Sequence, residues 1–259
     1  MKIYTSSQKG RREKNEDEVD VDTGKNGKNV KASIMDGHGG NFVSKYLKKT
    51  FLHAFAKIKA SSEVQLLIDD IQHELRTKYE NETKYCGSTL LACHVNLDEG
   101  FIRTVNIGDC RALLLRKDGS IMQLSSDHKP MPDMKAEVIR MRREKCGYAK
   151  FDRDDRVWRT ADGYSVSRAM GDISSPCMSQ RADVSTIPLP ADTSMVLLAC
   201  DGVWDVLSNK DVCGVASEAL SKGKNPAKAV GKLAYDKHSQ DNLSVVAICL
   251  EGSSVKVKI

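Results

Sequence analysis

The sequence predicts an α+β fold in which an antiparallel sheet carries amphipathic helices. Consecutive hairpins predict the sheet: Asp98-Glu99-Gly100 and Asp118-Gly119 each separate two strand-like runs, and short turns of this kind join antiparallel neighbours. Helical periodicity predicts the other layer, because Phe42, Val43, Tyr46, Leu47, Phe51, Leu52, Phe55 and Ile58 recur on one helix face. No linker, repeat or low-complexity segment divides the 259 residues, so one domain over residues 1–259 is expected.

Taken in order, residues 1–35 read as two strands around the polar turn Thr23-Gly24-Lys25-Asn26-Gly27-Lys28-Asn29, rich in residues that tolerate positive φ. After the helix that starts near Phe42, Ser62 and Gln65 read as the capping box of a second helix, whose buried face is Val64, Leu67, Ile68, Ile71 and Leu75. His53 and His73 on these helices are read as ordinary surface or hydrogen-bonded residues. Strands are expected over 86–96, 101–107, 111–117 and 120–124. Pro130 and Pro132 end this run; Met134, Val138 and Met141 then predict a short basic helix, and 146–163 is polar and irregular. Residues 130–163 are therefore expected to form a surface flap, with the basic run over 140–145 on a solvated face. The apolar run 195–200 is a buried strand. Ser208 caps the helix that follows, with Val212, Val215, Ala216, Ala219 and Leu220 inward, and Gly223 stops it. Asn225-Pro226 opens another helix, and 243–250 is the last strand.

Composition excludes several classes. An apolar fraction of 40% with 29% charged residues describes a soluble globular protein, and no apolar run approaches the ~18 residues of a membrane span. Met1-Lys2-Ile3-Tyr4-Thr5 has no secretory apolar core, so a cytoplasmic or nuclear location is expected. The eight cysteines include no C-x-x-C pair and read as buried reduced thiols, while six scattered histidines argue against zinc. A net charge of +5 with 5% aromatic residues argues against a nucleic-acid binder and slightly favours phosphorylated or acidic ligands.

The stretch Asp36-Gly37-His38-Gly39-Gly40 places a hard-metal ligand, a glycine and an imidazole in consecutive positions, between an apolar run and a helix. Asp-Gly alone also reads as a hairpin turn. Asp118-Gly119, however, has a strand on each side, whereas a helix follows Asp36-Gly37. Arg12 and Glu16-Asp17 fit two readings, a solvated charged edge or an extended segment facing a shared anion and metal site. Asp36, Asp109 and Asp201 follow apolar runs and Asp241 precedes one; opposite strand ends of an antiparallel sheet share an edge. Gathered carboxylates of this kind suit Mg²⁺ or Mn²⁺.

These residues resemble the metal-dependent serine/threonine phosphatases of the protein phosphatase 2C family across nearly the whole chain. The resemblance is carried by Arg12 with Glu16-Asp17, by Asp36-Gly37-His38-Gly39-Gly40, Cys86-Gly87-Ser88-Thr89, Asn106-Ile107-Gly108-Asp109-Cys110-Arg111 and Asp127-His128-Lys129-Pro130. It continues through Val166-Ser167-Arg168-Ala169-Met170-Gly171-Asp172, Asp201-Gly202-Val203-Trp204-Asp205 and Asp241-Asn242. Cys146-Gly147 departs from the two glycines common in the family, and 156–165 is a few residues longer than usual.

The resemblance implies a four-layer α-β-β-α sandwich, two antiparallel sheets flanked by helices, with a metal centre at one end. It implies hydrolysis of phosphoserine and phosphothreonine in proteins by in-line attack of a metal-bridging hydroxide, without a covalent intermediate. Two Mg²⁺ or Mn²⁺ ions are implied. Asp36 would bridge them, with Glu16 and the Gly37 carbonyl on one and Asp201 and Asp241 on the other. Asp17 would hold metal-bound water, and Asp109, Asp201 and Asp205 would offer a weaker third site. Arg12 would grip the phosphate and His38 would protonate the departing oxygen. Phosphorylated proteins are the expected partners of a monomer, with no nucleic acid and no membrane.

Overall fold

The central strands are apolar at successive positions, so each has two faces to bury, and the computed structural model places a layer against both. It describes residues 1–24, 27–58, 60–144 and 146–250. One five-stranded sheet runs Lys2–Gln8 (β1), Leu243–Cys249 (β15), Thr193–Ala199 (β14), Arg111–Arg116 (β8) and Ile121–Gln123 (β9). The other runs Asp183–Pro188 (β13), Phe101–Ile107 (β7), Leu90–Asn96 (β6), Asn29–Met35 (β3) and Glu18–Asp22 (β2). All neighbours in both sheets are antiparallel. A short three-stranded ladder joins Gly37–His38 (β4), Gly87–Ser88 (β5) and Met170–Gly171 (β12), and Lys150–Asp152 (β10) pairs with Val157–Arg159 (β11). The helices are Phe42–Phe55 (α1), Ser62–Lys78 (α2), Glu80–Thr83 (α3), Lys135–Arg143 (α4), Asp201–Trp204 (α5), Asn209–Ser221 (α6) and Pro226–Asp236 (α7).

The period of two decides which residues face which layer. In β14, Met195, Leu197 and Ala199 pack with Val212, Ala216, Ala227 and Val230 of α6 and α7. Val196, Leu198 and Cys200 point the other way, to Ile34, Leu91 and Cys93 of the opposite sheet. Leu90 and Ala92 of β6 meet Val43, Leu47, Phe51 and Ile68 of α1 and α2. The result is the four-layer α-β-β-α sandwich. Full burial of each Val, Leu, Ile, Phe or Met side chain among them contributes about 1.5–3 kcal/mol, so three apolar interfaces, not hydrogen bonds at the surface, hold the layers together. Among the described residues no helix is long and apolar enough to cross a membrane.

Antiparallel pairing brings the chemistry-bearing segments to one end. Ala199 at the end of β14 stands opposite Val245 near the start of β15 and opposite Arg111 at the start of β8. Glu18 at the start of β2 stands opposite Met35 at the end of β3. Residues just outside these positions, Asp17, Asp36, Asp109, Asp201 and Asp241, therefore share a rim.

Several local expectations are corrected. Residues 1–35 contain three strands: β1 leaves its sequence neighbours and pairs along its length with β15, from Lys2↔Cys249 to Gln8↔Leu243. Part of the predicted turn, Lys25 and Asn26, lies outside the described residues. Ser62 and Gln65 make no capping box; Gln65 instead accepts from the Ala182 N–H at 3.0 Å and donates to Asp69 at 2.8 Å. Between 173 and 194, where no strand was expected, Asp183–Pro188 forms β13, an edge strand whose proline sits at its last position. Residues 146–163 are less irregular than expected, because β10 and β11 form a hairpin with Phe151 and Trp158 packed ring to ring at 5.5 Å. Arg140 is not solvated but donates to Glu137 at 3.2 Å and to the Ser167 carbonyl at 2.7 Å. The later helix signals hold: Ser208 and Asp211 form a capping box, and Asn225 accepts from the Lys228 N–H with Pro226 in the first turn.

Candidate active site

A cleft of about 530 Å³ opens at the rim where the strand ends meet, and Arg12, Glu16, Asp36, Gly37, His38, Asp109, Asp201 and Asp241 line it. Asp17 lies beneath it, 4% exposed. Asp205 stands to one side, where it accepts a hydrogen bond from Lys129 Nζ at 2.7 Å.

The segment carrying Arg12 and Glu16 has no regular structure of its own. It is held by the Asn242 amide, which donates to the Lys9 and Lys14 carbonyls at 2.8 and 2.9 Å and accepts from the Glu16 N–H at 2.8 Å. Gly37 is required by close approach: a Cβ there would lie 2.5 Å from the Glu16 carbonyl oxygen and 2.9 Å from Ser44 Oγ. Ser44, on the first turns of α1, donates to that same carbonyl at 2.6 Å. The segment is thus tied to α1 on one side and to the entry of β15 on the other. Arg12 donates to Asp241 Oδ2 at 2.7 Å and to the Gln240 carbonyl at 3.2 Å, and stays more than half exposed.

The carboxylates crowd one another. Burial, then the charges of Asp201 and Asp241, push the Asp17 carboxyl up to about 7. Burial, then Asp17, Asp201 and Asp109, raise Asp36 well above the usual carboxylate range. Asp109 is raised by burial and by Asp201, against the pull of Lys129. Asp201 is raised to about 6 by burial and then by Asp205. Among the described residues neither Asp17 nor Asp109 has a hydrogen-bond partner of good geometry; Ser244 and Cys200 draw Asp17 down only in part, and Lys129 stands 3.5 Å from Asp109 Oδ2. Asp36, Cys200 and Asp201 offer ligand atoms within 4.8 Å of one another, but burial and the charges of Asp17 and Asp36 raise the Cys200 thiol strongly. Cys200 is thus a poor thiolate donor, and the donor set is one of oxygens.

His38 Nε2 lies 2.6 Å from Asp172 Oδ2, and the Tyr164 ring meets the imidazole edge-on at 5.9 Å. Asp172, Tyr164, Lys129 and Asn242 received no role from the sequence. Three of them belong to the quoted motifs, so a signal existed, but their partners are separated from them by long stretches of chain.

The sandwich has counterparts among known proteins. The Protein phosphatase 2C profile matches residues 4–243, from β1 to the start of β15. The chain belongs to the protein phosphatase 2C family. "Probable protein phosphatase 2C 43" of Arabidopsis thaliana is 30% identical over 244 residues, covering 85% of this chain and 56% of the relative. "Protein phosphatase 1B" of Homo sapiens is 26% identical over 254 residues, covering 85% and 50%. The chain thus spans about half the length of these two protein phosphatases. The fold is shared with a serine-threonine phosphatase 2C from Toxoplasma gondii, at a TM-score of 0.77 and 20% identity over 95% of this chain and 94% of the other. A C. elegans sex-determining protein matches at a TM-score of 0.80 and 23% identity, over 95% and 64%.

Proposed function

We propose that this protein phosphatase 2C chain hydrolyses phosphoserine and phosphothreonine in proteins with the help of Mg²⁺ or Mn²⁺, residues 1–259 acting as one catalytic domain. The observation that carries the reading is the cluster of Asp17, Asp36, Asp109, Asp201 and Asp241, buried or lining one cleft, in which the oxygens of Asp17 and Asp109 lack a hydrogen-bond partner of good geometry among the described residues. Like charges in such a cluster raise one another's pKa unless a cation stands among them, so the residues fit a hard divalent ion. Asp36, Glu16 and the Gly37 carbonyl would hold one ion, and Asp36, Asp201 and Asp241 a second. Asp109, Asp201 and Asp205 would make a weaker third site, and Asp17 would orient water. When bound, the ions supply Lewis acidity, which makes water acidic enough to attack phosphorus near neutral pH and offsets phosphoryl charge.

The chain's own residues do the rest. Arg12, exposed at the lip and hydrogen-bonded only through part of its fork, takes the phosphate in a planar, two-point grip that lysine cannot reproduce. As the bond from phosphorus to the seryl or threonyl oxygen breaks, its electron pair passes to that oxygen, which takes a proton from His38. Tyr164 and Val166 form part of the cleft wall, the Tyr164 ring standing edge-on to His38. The expected physiological setting is a monomer acting on phosphorylated proteins in the cytoplasm or nucleus.

The test is phosphate release from a phosphothreonine peptide with added Mn²⁺ and with chelator. Chelator-sensitive release, with near-complete loss in Asp36→Asn and Asp201→Asn, is expected. Full activity in either variant refutes the metal assignment, and folded wild-type protein that binds Mn²⁺ but releases no phosphate is a binding module instead.

A further inference from the structure

The small ladder beside the cleft puts His38, Gly87 and Gly171 at one register, His38 opposite Gly87 and Gly87 opposite Gly171. Asp172 follows Gly171, and its carboxylate reaches over Gly87 to the imidazole. Space for that reach exists only because residue 87 has no side chain: a Cβ there would lie 2.0 Å from Asp172 Oδ2 and 2.5 Å from His38 Nε2.

Asp172 is held in an unfavourable conformation to make the contact. Its φ of 45° lies in the left-handed region, which non-glycine residues enter at a cost, though Asp and Asn do so more readily than others. The surroundings impose it. The Gln72 amide clamps Gly171, donating to its carbonyl and accepting from its N–H at 2.9 Å each, and the Asp172 N–H donates to the Cys86 carbonyl at 3.1 Å. The Asp172 side chain is fully buried, whereas His38 remains 30% exposed toward the cleft. Asp172 Oδ1 has no hydrogen-bond partner of good geometry among the described residues, and although the Tyr164 hydroxyl also approaches this carboxylate, the short hydrogen bond to His38 is its well-formed side-chain contact.

We propose that Asp172 is a positioning residue for His38: it accepts from Nε2–H, fixes the ring's tautomer and plane, and so leaves Nδ1 to serve the departing oxygen. The proposal rests on the reading of His38 as the proton donor. A carboxylate that orients an imidazole in this way need not touch substrate, and its replacement by the near-isosteric amide removes the negative charge that favours the protonated ring without changing shape. Tyr164, delivered by the segment after β11, closes the pair on the flap side with its ring against His38.

The test uses Asp172→Asn, because asparagine tolerates the same positive φ. Initial rates on a phosphothreonine peptide are compared with rates on an aryl phosphate, whose leaving group needs little protonation, for wild type, His38→Ala, Asp172→Asn and the double variant, with Mn²⁺ affinity followed by calorimetry. Asp172→Asn is expected to lower kcat on the peptide by about tenfold or more, to leave KM and the aryl phosphate within about twofold, and to add nothing to the loss in His38→Ala. Mn²⁺ affinity is expected to stay unchanged. Full peptide activity, equal loss on both substrates, or an undiminished effect in the His38→Ala background overturns the proposal.

A second measurement is independent of turnover. Nitrogen-15 shifts of the His38 ring in the metal-free protein should report a proton fixed on Nε2 in wild type; a wild-type ring protonated on Nδ1 alone refutes the pairing. Wild-type protein that hydrolyses neither substrate defeats the phosphatase reading, whereas an active wild type with an indifferent Asp172→Asn defeats only this inference.

Discussion

Lys129 Nζ lies 2.7 Å from Asp205 Oδ1 and 3.5 Å from Asp109 Oδ2, so an ammonium group stands between two of the three carboxylates proposed for the weakest cation site. Lys129 is itself largely buried, and Asp109, Asp205 and Asp201 hold its proton tightly against the penalty of burial. A third divalent ion must compete with that charge. Lys129→Gln should therefore tighten the weakest Mn²⁺ binding event by roughly tenfold, about 1.4 kcal/mol, as read by calorimetric titration. Unchanged weak binding would show that Lys129 and the third ion do not share a site.

The crowded carboxyls make the metal-free protein sensitive to pH in an unusual direction. A carboxyl whose pKa rises on folding holds its proton more tightly in the folded state. Its contribution is fully present below the unfolded value of 3.8 and is lost as pH climbs through about 6 for Asp201 and about 7 for Asp17. Melting curves of chelated protein should accordingly rise in midpoint as pH falls from about 8 to 5.5. Added Mn²⁺ should raise the midpoint most at pH 8 and reverse the trend, since protons and cation compete for one set of oxygens. A flat profile without metal would remove the crowding argument.

Arg12 is paired with Asp241 in the same rim, and the pair is exposed, so its loss should cost less than about 1 kcal/mol of stability. Function should respond more. Arg12→Ala is expected to raise KM for the phosphopeptide by about tenfold or more while Mn²⁺ binding holds or tightens, because Asp241 loses a competitor. Arg12→Lys should not restore the KM. Steady-state kinetics beside calorimetry separates the two effects.

The flap helix is fastened by a buried ion pair. Glu137 of α4 accepts from Arg168 Nε at 2.9 Å and from Ser167 Oγ at 2.6 Å, with side chains 3% and 8% exposed for Glu137 and Arg168. Burial alone would raise Glu137, but these hydrogen bonds and the charges of Arg168 and Arg140 hold it down at about 2. Arg168→Met leaves that carboxylate buried without its main partner. A loss of about 3–5 kcal/mol in denaturant unfolding is expected, together with faster proteolysis within 130–163. Glu137 also sets an acid limb: its contribution is present above the ordinary value of 4.5 and disappears as pH falls toward 2.

Two kinds of information divide this protein. The unbroken apolar run over 195–200, the strand signal over 243–250, the helical face from Val43 to Phe55, the Ser208 cap and the Asp118-Gly119 turn are local signals, and each produced the element it predicted. The acids of the rim were legible for the same reason, as residues next to strand ends. Long-range pairing was not legible. β1 joins β15 across more than two hundred residues, and β13 hides behind prolines because an edge strand needs only one row of backbone bonds. Likewise the Asn242 staple, the Lys129 ammonium between Asp109 and Asp205, and the reach of Asp172 over Gly87 to His38 join parts of the chain far apart in sequence. The sequence by itself determined which residues carry charge, which faces are apolar and which family the chain resembles. Only the tertiary structure decided which charge meets which, because antiparallel strand order and shared burial select those partners.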